Sequence, residues 1–76
     1  MIEIAPGFKV ERFELNIYED VNSKTNTNDT VIYREFADSE IDRDKMMEKA
    51  ANTYKGFKYK LTDYSKKSRK NKIGIL

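Results

Sequence analysis

Residues 57–64 read Phe-Lys-Tyr-Lys-Leu-Thr-Asp-Tyr. Phe57, Tyr59 and Leu61 alternate with Lys58, Lys60 and Thr62. Period-two alternation puts each set on its own side of a pleated strand, so one face is apolar and the other wet and positive. Such a strand needs neighbours for its backbone groups and a layer over its apolar face. The remaining residues must supply both.

Two upstream segments qualify as neighbours. From Phe8 to Asp20, Phe13, Leu15 and Ile17 point one way, and Glu14, Asn16 and Tyr18 the other. Phe8 and Val10 fall on the opposite parity, which a bulge near Glu11-Arg12 would repair. Thr30 to Ala37 carries Val31, Tyr33 and Ala37 on one parity and Ile32 and Phe36 on the other. Apolar residues on both sides predict a central or doubly covered strand. Residues 22–29 lack any apolar side chain and are rich in Asn, Thr and Asp, the composition of a loop. Ile2 and Ile4 flank Glu3 as a brief edge strand would, and Pro6-Gly7 interrupts it.

The covering layer is a helix between Ser39 and Gly56. Ser39-Glu40-Ile41-Asp42 has the spacing of a capping box, and Glu40, Asp42 and Asp44 suit the positive end of the helix dipole. At 100° per residue, Met46, Met47, Ala50, Ala51 and Tyr54 share one face, with Ile41 off it. Gly56 supplies the left-handed residue that commonly ends a helix. The order strand, strand, helix, strand predicts an α+β fold of the form ββαβ. Its sheet has three strands, mostly antiparallel, in the order 2-1-3, with the helix on one face. The C-terminal end could return as a short extra edge strand, with Ile73 and Ile75 beside Ile2 and Ile4, or add instead to a sheet edge of a partner chain. The division follows: residues 1–64 form a single small α+β domain, and 65–76 a basic C-terminal tail with an apolar tip.

Composition narrows the chemistry. The 76 residues contain no cysteine and no histidine. A disulfide, a thiolate metal site, the commonest general base and the usual zinc ligands are therefore missing, which argues against an enzyme. No cofactor motif is present. Asp38, Glu40, Asp42 and Asp44 have the two-residue spacing of a calcium loop, but Arg43 stands where the turn needs Gly and Lys49 where a bidentate Glu is needed, so no metal is expected. Without a long apolar run or a signal-peptide pattern, the expectation is a cytoplasmic protein with no membrane contact.

Charge is unevenly placed. Residues 1–57 carry a balance of −4 and residues 58–76 one of +6, for a net charge of +2. Glu35, Asp38, Glu40, Asp42, Asp44 and Glu48 are candidates for an acidic docking patch. Lys58, Lys60, Tyr64, Lys66, Lys67, Arg69, Lys70 and Lys72 are candidates for a basic one. Ile73, Ile75 and Leu76 follow as an apolar anchor. Interleaved lysines and an aromatic ring on a sheet face can hold single-stranded nucleic acid. Met46 and Met47, soft and adaptable, could serve a homodimer.

In style the chain, short and rich in Lys, Asn, Ile and Tyr, resembles small accessory proteins of phages and mobile elements in AT-rich bacteria. Many of those bind and block a host protein, and the resemblance implies the same here. The expected function is that of a small non-catalytic binding protein that docks on a host macromolecule, a protein partner, through charged patches. The alternative is a nucleic-acid-binding accessory protein using the basic third strand and the tail.

Overall fold

The computed structural model describes residues 1–19, 30–65 and 70–76. The expected loop at 22–29 and the candidates Lys66, Lys67 and Arg69 lie outside them. Among the described residues six strands and one helix follow in chain order: β1 (Ile2–Ala5), β2 (Phe8–Val10), β3 (Phe13–Tyr18), β4 (Val31–Ala37), α1 (Glu40–Thr53), β5 (Lys58–Asp63) and β6 (Lys70–Ile75). The α+β class stands, but the sheet has four strands rather than three. Its order is β4-β3-β5-β6, with every neighbouring pair antiparallel. β3 does lie between β4 and β5.

Two expectations about the chain ends are corrected. β1 and β2 pair with each other as a separate hairpin, Ile2 opposite Val10. The parity break at Glu11-Arg12 is thus where the chain passes from one sheet to another, not a bulge within one strand. The extra edge strand does form from the C-terminal end, but beside β5, with Lys60 opposite Ile73 and Lys58 opposite Ile75. Leu76 closes it: its amide donates to the Phe57 carbonyl at 2.9 Å, and its own carbonyl accepts from Gly56 at 2.7 Å. Pairing therefore runs across the 64/65 division and carries Lys70–Ile75 into the main sheet.

The core forms where β3 meets α1. Phe13, Leu15 and Ile17 are essentially without solvent exposure, and Ala37, Met46, Ala50 and Tyr59 pack with them. Each large side chain so buried contributes about 1.5–3 kcal/mol. Tyr33, Met47, Tyr54, Phe57, Leu61 and Leu76 seal the margin. The Tyr54 ring lies 5.3 Å from Tyr33 and 5.7 Å from Phe57, centre to centre. The helix starts and stops as its sequence requires. The Ser39 hydroxyl accepts from the Asp42 amide at 3.1 Å, and Gly56 takes a φ of 88° after the last turn. Ile41, off the apolar face, is exposed.

Register fixes which residues share a side of the sheet, because paired residues point the same way. Phe13, Leu15, Ile17, Glu35, Tyr59, Leu61 and Lys72 lie on the helix side. Glu14, Asn16, Ile32, Arg34, Phe36, Lys58, Lys60, Thr62, Ile73 and Ile75 lie on the other, which α1 does not cover. β4, expected to be central or doubly covered, is an edge strand, and its Ile32 and Phe36 stand 42% and 44% exposed. Among the described residues no helix is long and apolar enough to cross a membrane.

Candidate functional site

The acidic candidates do not form a uniform negative surface. Asp38 accepts from the Met1 amine at 2.9 Å and from the Arg12 amide at 3.0 Å. Glu40 lies 3.5 Å from the Arg12 guanidinium, Asp44 2.9 Å from Arg43, and Glu35 3.0 Å from the Lys49 ammonium. Four of the six thus stand beside a cation. Along α1 the remaining two diverge. Asp42 joins Glu35, Asp38, Lys45 and Lys49 in the groove between β4 and the helix, whereas Glu48 turns outward at helical spacing.

The pairings shift titration. The Tyr33 hydroxyl, donating to Glu35, holds that carboxyl below its usual range; burial opposes this and Lys49 reinforces it. The same contact raises the Tyr33 phenol, and Glu35 raises Lys49. Asp38 is lowered by the Met1 amine and the Arg12 amide. Burial pushes Asp63 up, but hydrogen bonds from Ser65 and Arg12 outweigh it, so its carboxyl is lowered. Arg12 emerges as a hub that the sequence did not single out. It reaches Asp63 and Glu40, its guanidinium lies 4.7 Å from the centre of the Phe13 ring, and its carbonyl accepts from Tyr64 at 2.8 Å.

The basic candidates are divided by the sheet. Lys58 and Lys60 project from the uncovered face, with Tyr64 beside them. Lys70 and Lys72 pair with Asp63 and Leu61 and so fall on the helix side. There Lys72 borders a groove with Arg43, Asp44, Met47, Tyr59 and Leu61. The apolar anchor is split too. Leu76 packs on the core, while Ile73 and Ile75 stand 62% and 57% exposed on the uncovered face.

That face is not covered by α1, and its own long side chains bury its centre, where Asn16, Thr62 and Tyr18 are almost without exposure. Its centre is a polar network around Glu14. The Tyr64 hydroxyl donates to one carboxylate oxygen; the Asn16 amide, at 3.2 Å, and Arg34, at 3.3 Å, engage the other. Arg34 also donates to the Asn16 carbonyl oxygen at 2.8 Å. The Lys58 ammonium lies 5.4 Å from the centre of the Tyr18 ring. Parity set Glu14 and Asn16 on the side opposite Phe13, Leu15 and Ile17, but nothing in the sequence linked them to Arg34 or Tyr64. Around this centre the exposed apolar residues are Ile73 and Ile75 at one edge and Ile32 and Phe36 at the other. Phe36 also borders an apolar recess with Met1, Lys9, Val10 and Glu11. Among the described residues no cluster of three or more acidic side chains is placed to hold a metal ion.

No family model, characterised protein or solved structure matches this chain.

Proposed function

We propose that the protein is a non-catalytic binding protein that docks on another protein through the uncovered face of its four-stranded sheet. The observation that carries this reading is the pairing of exposed apolar and cationic residues along β5 and β6. Ile73 sits opposite Lys60 and Ile75 opposite Lys58, with both isoleucines more than half exposed. Exposed apolar side chains on a sheet face gain by being covered, and lysines beside them select what covers them. The complementary surface is apolar with carboxylates at its border. The acidic candidates, four of the six beside a cation, contribute less to this reading than the sequence implied. The compositional resemblance to phage accessory proteins supports a host protein as partner and inhibition as the outcome.

The test is capture of the partner by the intact chain and by variants. Replacing Lys58 and Lys60 by Glu, or Ile73 by Asp, should abolish capture of a protein that the parent retains. Ile41→Asp, on the exposed side of the helix, should leave it unchanged. Capture that survives the face substitutions, or is lost with Ile41→Asp, overturns the reading.

The nucleic-acid alternative draws on the placement of Lys58, Lys60, Tyr18 and Tyr64 on one side of the sheet. Against it stands Glu14, a carboxylate at the centre of the surface a phosphate backbone would cross. Retention on single-stranded DNA or RNA, with a log–log salt slope of about −1.4 for two lysine contacts, would favour that alternative.

A further inference from the structure

The two edges of the main sheet differ in a way that the proposed docking face does not use. β6 begins with Lys70-Asn71-Lys72 and follows further basic residues, and lysines on an edge strand discourage a second strand from pairing. β4, at the other edge, has no lysine, proline or glycine in its seven residues, and its two charges cancel. Among the described residues no strand covers its outer side. A groove lies along it, bordered by Glu35, Ala37, Asp42, Lys45, Met46 and Lys49.

We propose that β4 pairs antiparallel with β4 of a second copy of this chain, about a two-fold axis through Arg34. Pairing of identical strands within one continuous sheet requires the axis to pass through a residue, so that each side chain meets one on its own face. The axis at Arg34 is the register that engages the regular stretch from Ile32 to Phe36, beyond the bulge where both Val31 and Ile32 oppose Tyr18. It sets Ile32 opposite Phe36 twice, and Tyr33 opposite Glu35 twice. The exposed apolar residues of this edge are thereby matched with each other. Charges match as well. The two Arg34 residues meet at the axis, but each is held by its own Glu14 at 3.3 Å and Asn16 at 2.8 Å. On the helix side, Glu35 and Lys49, 3.0 Å apart, lie next to the axis, so two such pairs meet as four alternating charges. The product is an eight-stranded sheet with both uncovered faces on the same side.

Sedimentation equilibrium of the intact chain tests the pairing, and the absence of native cysteine allows a test of register. The expected mass is twice the 9.0 kDa of one chain. Ile32→Lys with Phe36→Lys, both at partly exposed positions, should raise the dissociation constant at least tenfold. Ile73→Lys, on the far edge, should not change it. A chain with Ile32→Cys mixed with one carrying Phe36→Cys should oxidise to the mixed disulfide, because those positions face each other across the axis. Neither variant alone should cross-link, since each cysteine would then lie four residues from its copy. A monomer at concentrations up to about 200 µM overturns the proposal. So does a dimer that dissociates with Ile73→Lys, or cross-linking of one cysteine variant with itself in preference to the mixture.

Discussion

The Tyr59 ring lies over Gly74: a Cβ placed on that glycine would come within 2.9 Å of Tyr59 Cε1 and 3.1 Å of its hydroxyl oxygen. The two residues face each other across β5 and β6, and the tyrosine is buried. An aromatic ring thus occupies the space a β6 side chain would otherwise fill. Gly74→Ala should destabilise the protein by about 1–3 kcal/mol through overpacking. In a Tyr59→Val background the same change should cost much less. Urea unfolding of the four proteins of this cycle measures the coupling, and equal costs in both backgrounds would refute it.

Residues 70–76 should be indispensable to stability. Removing them strips β5 of six paired residues and Phe57 of its Leu76 partner, and uncovers Tyr59. The shortened chain should melt more than about 10 °C below the parent, since each kcal/mol lost shifts a domain of this size by about 4–8 °C. Thermal unfolding followed by circular dichroism reads it; an unchanged midpoint would show that β6 adds nothing.

Asp38 should govern the N-terminal hairpin independently of the main sheet. It accepts from the Met1 amine and the Arg12 amide, at the two ends of the β1–β2 segment. Asp38→Ala should speed amide exchange across residues 2–10 by about tenfold or more and leave β3 and β5 protected. Uniform loss of protection in both sheets would contradict this.

Acid should weaken the fold through three carboxylates. Glu35, Asp38 and Asp63 all titrate below their ordinary values of 4.5, 3.8 and 3.8. A lowered carboxyl stabilises the folded form while ionised, so the contribution is complete above these ordinary values. It is lost as pH falls from them through the folded pKa. Denaturant midpoints should be flat from about pH 5 to 7 and decline below about pH 4.5. Glu35→Gln should flatten the upper part of that decline, and an unchanged pH profile in this variant would remove Glu35 from the account.

The sequence made the central architecture legible because alternation and helical period are local signals. The parity of Phe13, Leu15 and Ile17, the apolar face of α1, Ser39 at the cap and Gly56 at the end all follow from neighbours a few residues apart. β6 was obscured because its lysines read as a solvated tail. On an edge strand those same lysines are ordinary, since half the strand faces water and, among the described residues, no strand pairs with its outer side. Ile32 and Phe36 misled for the opposite reason. Apolar parity on both sides of β4 implied cover on both sides, whereas one side is open. Of the candidate site, Lys58, Lys60 and Tyr64 were placed on a common face by period two alone. Their relation to Glu14, Arg34 and Ile73 depends on cross-strand register, which no single segment encodes.

The network around Glu14 bears on what it would cost to cover this surface. A carboxylate normally surrenders its hydration when a partner arrives, and that loss opposes association. Here Tyr64, Asn16 and Arg34 already stand in for water on both oxygens. The charge is therefore solvated from within the protein, and a dry contact laid across it leaves that solvation intact.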